Sequence, residues 1–399
     1  MPSELSCDVL VAGGGLVGAT AALALARRGL NVALVDRGEP AISRGRLGYD
    51  ARTVALNPAS VDMLKALDVW SSFAACPFSS VYVCEERGTR HIEFLAAEVD
   101  RSELGWIVEV SPSVGALWAA LRRQSNLTIV AGSIENVAAD AREVRLLAGD
   151  TALTTQLLIA ADGANSSIRT KLGIDASRFQ THQSAIATVV EVEHDHRGVA
   201  WQCFLRDGPL ALLPLPPRDG RFFCSVVWSQ LEATAQQLMA LDDTAFAARL
   251  GRLLDARYGA VKAVDNRFCF PLEQLVADSF QPAPRVLLVG DAARVLHPLA
   301  GQGVNLGFED VSEVLRVATQ VSPADFGDDA LWRGFARRRR VRAEVMVRAM
   351  DAFAMAYRLA DPGLNWLRNV AVDLLNAAPT LKRQLIREAL GFGIFAPPR

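Results

Sequence analysis

The stretch Cys7-Asp-Val-Leu-Val-Ala-Gly-Gly-Gly-Leu-Val-Gly18, followed one helix later by Asn31-Val-Ala-Leu-Val-Asp36, decides the fold of this chain. Cys7 to Ala12 is a short apolar strand pattern. Leu16 to Arg28 is rich in Ala and Leu and reads as a helix, and Asn31 to Asp36 reads as a second strand. The glycines stand at G-x-G-x-x-G spacing between the first strand and the helix. Gly13 allows the tight turn, and Gly15 lets backbone approach a pyrophosphate. Gly18 lets helix and strand pack closely, with Leu16 and Val17 opening the helix between them. Asp36, beside Arg37, ends the second strand about 20 residues on, where a carboxylate can bind ribose hydroxyls. The unit specifies an adenine dinucleotide and leaves NAD and FAD both open.

A second region of similar character lies far downstream. The segment from Val286 to Asp310 starts as an apolar strand and runs into Gly290-Asp291. His297-Pro298 turns the chain, and Ala300-Gly301-Gln302-Gly303 bends into a helix that opens with Val304 and Asn305. Asp291 can accept hydrogen bonds from sugar-like hydroxyls, and the free N–H groups after Gly301 can face a flat, electron-rich ring. The bland alternative is an ordinary strand–loop–helix connection; the density of Gly, Pro, His and Asn argues against it. A third cluster, Ala161-Asp-Gly-Ala-Asn-Ser-Ser-Ile-Arg169, follows a buried strand pattern and leads into a helix.

The 399 residues suffice for two or three domains and a large core. With 51% hydrophobic residues, 22% charged and a net charge of −2, the chain reads as a soluble globular protein and not as a nucleic-acid binder. Its six cysteines are scattered without C-x-x-C spacing, which suits buried thiols in a reducing compartment better than a metal site or disulfide framework. Met1 to Leu10 lacks the pattern of a secretory signal, and no run of about 20 uncharged apolar residues suggests a membrane span. A cytoplasmic protein is expected, with a peripheral membrane contact left open.

The order of patterns along the chain predicts an α/β fold. A Rossmann-like dinucleotide-binding domain is expected over 1–75, 100–178 and 281–330. An inserted β-sheet substrate domain is expected over 76–99 and 179–280, where Ala185 to Val192 and Phe222 to Trp228 show β-type alternation. Residues 331–399 form a helical segment in which basic residues outnumber acidic ones 13 to 5 after Leu331. Its run Arg337 to Arg340 with Arg342 reads first as a solvated helix face. The functional alternative is contact with an anionic membrane surface or an acidic partner, helped by the apolar stretches Phe353–Tyr357 and Val370–Leu375. A biosynthetic complex is one such partner, and a homo-oligomer is equally compatible with the chain.

Taken together, the three clusters resemble the flavin-dependent aromatic hydroxylases of the para-hydroxybenzoate-hydroxylase-like class. That family carries an N-terminal G-x-G-x-x-G, an internal D-G-x-x-S-x-x-R and a late G-D. Here these are Gly13/Gly15/Gly18, Asp162/Gly163/Ser166/Arg169 and Gly290/Asp291. Asp50-Ala-Arg52 resembles the family's D-x-R, whose arginine lies near the flavin's phosphates or ribose. Ala200 to Phe204, Gly208 to Leu215 and His297 to Gly307 are similar to the ubiquinone-biosynthesis branch, as are Leu367 to Asn369 and Pro379 to Gly391. The likeness covers nearly the whole chain and is weakest between about Cys76 and Trp106. Two departures stand out. The family's G-D-A-A-H histidine is Arg294 here, and the helix Ser113 to Leu121 carries Gly115-Ala-Leu where an Arg or Gln often faces the flavin.

The resemblance implies FAD reduced by NAD(P)H or a redox protein, and O₂ as co-substrate. A C4a-hydroperoxyflavin would pass one oxygen atom to a phenol, most readily an apolar polyprenyl phenol of ubiquinone biosynthesis. His297, Pro298, Gly301, Gln302 and Gly303 would position the flavin ring. Gly13, Gly15, Leu16, Val17, Gly18, Asp36, Arg37, Arg52, Asp162, Gly163, Gly290, Asp291, Val304 and Asn305 would complete its site. Leu210, Leu212, Pro214, Phe223 and Trp228 are the candidate pocket walls, with plain sheet core the competing reading for the two aromatics. No general base, metal constellation or Ser–His–Asp arrangement is identifiable. Three alternatives carry different chemistry. An NAD-dependent dehydrogenase leaves the second and third clusters without a purpose; a hydroxylase of a soluble small aromatic and a flavin-holding scaffold subunit both accommodate them.

Overall fold

A computed structural model describes residues 3–86, 91–254, 256–296, 303–358 and 378–392. The strand Ser3–Ala12 lies inside a seven-stranded sheet, parallel to Val32–Asp36 on one side and Thr151–Ala160 on the other. Leu127–Ala131 extends the parallel set beyond Val32–Asp36. Thr151–Ala160 changes partner along its length. Its first half pairs antiparallel with Val144–Ala148, and its end pairs parallel with Val286–Leu288. Segments more than a hundred residues apart in sequence thus meet in one sheet. The reason is apolarity on both faces: Val9–Ala12, Leu157–Ala160 and Val286–Leu288 are all fully buried, as parallel strands covered on both sides must be.

The helix Leu16–Arg27 covers one face of that sheet. Its alanines allow close approach, and ten of its twelve residues are buried against the sheet and the helices Val110–Leu121 and Gly303–Ala318. The chain leaves this sheet through Ala176–Val192, the longest strand of a nine-stranded sheet that is mostly antiparallel. It returns through Phe268–Ala277, which pairs with the short strand Arg294–Val295. The turn around Gly290 therefore stands where the two sheets join.

The nine-stranded sheet has two different faces. Ile186, Leu210, Leu212, Val226 and Trp228 pack under Leu238, Phe246 and Leu250 from the helices Glu232–Ala240 and Asp243–Gly251. Those two helices fall in the stretch that alternation alone reads as strand. A local start signal marks the second of them, since the Asp242 side chain accepts from the Ala245 N–H and caps its N-terminus. The opposite face packs Val189, Leu215 and Phe223 against Tyr49, Phe78 and Ile107. These come from or adjoin a three-stranded sheet of Thr53–Leu56, Ala75–Phe78 and Gly105–Glu109.

The helix Asp329–Arg358 corrects the expectation of one solvated arginine face. Arg339 is buried on Asp310 and Glu309, Arg342 lies between Glu309 and Glu388, and Arg338 pairs with Glu313. Of the five arginines from Arg337 to Arg342, only Arg337, Arg338 and Arg340 are exposed, because one side of the helix packs on Gly303–Ala318. Among the described residues no helix is long and apolar enough to cross a membrane. Leu367 to Asn369, Val370 to Leu375 and the side chains of Phe353 to Tyr357 lie outside the described residues.

Candidate active site

The glycine loop has the geometry its spacing requires. Gly13 adopts φ +101°, and a Cβ there would lie 2.4 Å from the Ala161 carbonyl oxygen. A Cβ on Gly18 would lie 1.9 Å from the Gly13 carbonyl oxygen, so helix and turn touch at that point. At Gly15 a Cβ would meet no protein atom within 4 Å. This is the position where backbone opens outward at the start of a helix that no side chain caps. Asp36 accepts from the Gly14 N–H at 2.6 Å and the Gly38 N–H at 3.1 Å, which holds its carboxylate beside the loop. Arg37 is exposed, whereas Leu16 is buried in the core. Trp118 supplies a backing that the sequence reading missed. Its indole donates to the Gly14 carbonyl at 2.8 Å and fills the space behind Gly14.

The second cluster closes against the first and third. One carboxylate oxygen of Asp162 accepts from the N–H groups of Ser167 and Ile168 and from the Ser167 hydroxyl. The other oxygen is shielded from solvent and has no hydrogen-bond partner. Gly163 follows at φ +85°. Arg169 is buried and donates to the carbonyls of Ala164 and Ala292 at 2.7 and 2.8 Å, tying this turn to the one after Val286–Leu288.

In the third cluster Gly290 adopts φ +57° and its N–H donates to Asp310 Oδ2 at 2.9 Å. Val17 is wedged between Gly290 and Gly307, so its side chain serves packing. The Asp291 side chain is accessible to solvent yet surrounded by protein, as at the floor of a recess. That surrounding pushes its pKa up; Arg294 opposes the effect and Asp310 adds to it. Arg294 does not reach toward the recess. It is buried on Asp310, at 2.6 Å. Asn305 also departs from expectation, because its side chain is committed within the fold. Its oxygen accepts from the Asn57 N–H and the Ser60 hydroxyl, and its amide donates to the Ala55 carbonyl. Only its backbone remains to face a ligand. Gly303 and Val304 open the helix, and among the described residues no atom lies within 4 Å of where a Cβ on Gly303 would stand. His297, Pro298, Gly301 and Gln302 lie outside the described residues.

The D-x-R segment sits on a buried acidic pair. Asp50 accepts from the N–H groups of Arg52 and Ser111, and its own N–H donates to Glu109 at 2.6 Å. Burial pushes the Glu109 pKa up, against the Asp50 N–H and the charges of Arg218 and Arg44. The Arg52 side chain is itself mostly exposed, 61%, with its Nε 3.7 Å from the Asp50 carboxylate.

The pocket walls need correction. Leu210, Leu212 and Trp228 lie in the core beneath the two helices of the nine-stranded sheet, and Pro214 pairs in register with Cys224 of that core. Phe223 lies on the other face but is sealed against Tyr49, ring centroids 5.0 Å apart. Side chains alternate along a strand, so the residues between these share the face that packs on the three-stranded sheet. Ala211 pairs with Val227 and Leu213 with Ser225, whose hydroxyl hydrogen-bonds that of Thr53 at 2.7 Å. Ala185 and Ala187 continue the row toward Phe270 and Phe268, both exposed. Ala211, Leu213 and Val227 are only half-buried. The partly exposed side chains of this face are thus small or apolar, whereas the expected walls Leu210, Leu212, Pro214, Phe223 and Trp228 belong to the core.

Open backbone at Gly15, the Asp36 carboxylate beside it, the unpartnered Asp162 oxygen and the recessed Asp291 together fit a flavin dinucleotide. Comparison with known proteins agrees. The FAD binding domain model matches residues 6–349. A 3-demethoxyubiquinol 3-hydroxylase of Escherichia coli (strain K12) is 34% identical over 394 residues, covering 96% of this chain and 98% of that protein. Ubiquinone hydroxylase UbiL of Rhodospirillum rubrum is 31% identical, covering 96% and 89%. The crystal structure of p-nitrophenol 4-monooxygenase PnpA from Pseudomonas putida DLL-E4 superposes with a TM-score of 0.76 at 19% identity, over 98% of this chain and 99% of that one, and shares its fold.

Proposed function

Because this chain belongs to the FAD binding domain family, among its flavin-dependent monooxygenases, we propose that it hydroxylates an apolar, polyprenylated phenol of ubiquinone biosynthesis. The observation that carries this reading is the 34% identity to a 3-demethoxyubiquinol hydroxylase along almost the full length of both chains. The oxidative chemistry belongs to FAD, which once reduced by NAD(P)H or a redox protein activates O₂ to place one oxygen atom on the ring. The protein's own residues bind, orient and keep the site dry. The backbone at Gly15 and the Asp36 carboxylate take the adenosine and pyrophosphate end. Arg52, Asp162 and Gly163 lie along the middle, and Asp291 takes the ribityl hydroxyls. We assign His297, Pro298, Gly301, Gln302 and Gly303 to the flavin ring.

The substrate would lie against Ala211, Leu213 and Val227, half-buried apolar side chains of the nine-stranded sheet that suit a hydrocarbon-bearing ring and exclude water. This divides the chain as its sheets do, with the cofactor on the parallel sheet and the substrate on the nine-stranded one. The basic C-terminal segment would bring the enzyme, otherwise cytoplasmic, to the membrane where such substrates dissolve. The scaffold alternative drew on Arg294 as a cation beside the cofactor loop, and that side chain instead points into the core, on Asp310. Deleting the gene should cause a polyprenyl phenol one hydroxyl short to accumulate. Purified protein should restore that hydroxyl with FAD, a donor and O₂. A colourless, well-folded protein that takes up no FAD, or normal quinone in the deletion strain, would overturn the proposal.

A further inference from the structure

Arg294 stands three residues beyond Asp291, yet it is buried, with 3% of its surface exposed. Its Nη1 donates to Asp310 Oδ2 at 2.6 Å, while Nη2 is buried without a hydrogen-bond partner. Asp310 has no exposed surface and accepts three hydrogen bonds. Two reach Oδ2, from Arg294 and from the Gly290 N–H, and the third comes to Oδ1 from Arg339 Nε at 2.6 Å. Arg339 continues to Glu309 at 2.9 Å and to the Leu306 carbonyl at 3.1 Å. One carboxylate thus joins the turn that bears Asp291, the strand Arg294–Val295 and the long helix Asp329–Arg358.

Burying a carboxylate so deeply is costly unless its charge is compensated. Arg339 is shared with Glu309, so among the described residues Arg294 is the cation that pairs with Asp310 alone. Without it the Gly290 N–H would be held by an under-compensated group. Asp291 would also face that group with no cation between them. The functional reading above leaves Arg294 unexplained, and its ion pair supplies a purpose.

We propose that Arg294 is a positioning residue for the cofactor site: it keeps Asp310 seated on the Gly290 N–H and so fixes the turn that presents Asp291. The inference rests on Asp291 binding FAD. Burial raises the Asp291 pKa and Arg294 counters the rise, which points the same way. Only one guanidinium nitrogen is used, so a lysine ammonium could take its place.

The test is FAD titration of the full-length apoprotein, followed by flavin fluorescence, with melting of each variant as the control for folding. Arg294→Met should weaken FAD binding by about tenfold or more, whereas Arg294→Lys should stay within about threefold. The double variant Arg294→Met/Asp310→Asn removes both charges and should recover most of the loss. A pure packing role would instead make the two losses add. Wild-type affinity in Arg294→Met would overturn the proposal, and so would additive losses in the double variant. If Arg294→Met does not fold, a folded, FAD-binding double variant supports the charge argument and an unfolded one refutes it. A wild-type protein that binds no FAD would overturn the functional reading itself, an outcome distinct from all of these.

Discussion

Two glycines three residues apart show how differently the same residue type can act. At Gly18 a Cβ would collide with the Gly13 carbonyl at 1.9 Å, so Gly18→Ala should cost about 1–3 kcal/mol of stability through overpacking. At Gly15 the same atom would stand in open space. Gly15→Ala should therefore melt like the wild type and yet emerge from purification with little flavin. Calorimetry and absorbance near the flavin bands separate the two, and a Gly15→Ala protein that stays fully yellow would contradict the role given to that backbone. Both positions were legible from sequence because tight-turn chemistry is local. Asn305 was not. Its place at a helix start suggested a ligand contact, but its partners Asn57, Ser60 and Ala55 lie some 250 residues away.

That bond set makes Asn305 a clamp between elements. It ties the helix Gly303–Ala318 to the strand Thr53–Leu56 and to the start of the helix Pro58–Ala66. Asn305→Ala strands buried donors and an acceptor and should lower stability by about 1–3 kcal/mol, read from denaturant unfolding. A midpoint shift within error would show that the clamp is redundant. The same helix carries a pH response. Burial works against the Glu313 charge, but hydrogen bonds from Arg338 and Arg316 win, and its pKa is lowered. A carboxylate whose pKa is lower folded than unfolded contributes fully above the unfolded value, about 4.3. That contribution fades as the pH falls through the folded value. Melting temperature should drop on acidification through this window, and less steeply in Glu313→Gln; superimposable profiles would refute the linkage. The elements themselves were largely visible beforehand, as runs of apolar strand and Ala-rich helix. The two short helices after Leu231 were hidden among β-type residues and are marked mainly by the Asp242 cap.

For the molecule as a whole, the consequence of those two helices is the face of the substrate sheet. They bury Leu212 and free Val227, which the strand pattern alone could equally have placed the other way round. Val227→Phe should leave FAD binding and stability near wild type while raising the KM for a prenylated phenol by about tenfold. Leu212→Ala should do the reverse, costing about 2–5 kcal/mol of stability with little change in substrate preference. Equal kinetic effects from both would place the pocket elsewhere. What the sequence by itself determined was what turns on short-range chemistry: the glycine turns, the motif carboxylates Asp36, Asp162 and Asp291 and the parallel core strands, and, through the family resemblance these motifs carry, the expectation of an FAD-dependent hydroxylase. Only the tertiary structure decided which face of a strand meets the cofactor domain and where the Arg294 charge is compensated. Periodicity says that neighbours on a strand point apart, but not what will pack on either side. The partner of a buried charge is likewise set by which distant segments the fold brings within hydrogen-bond reach.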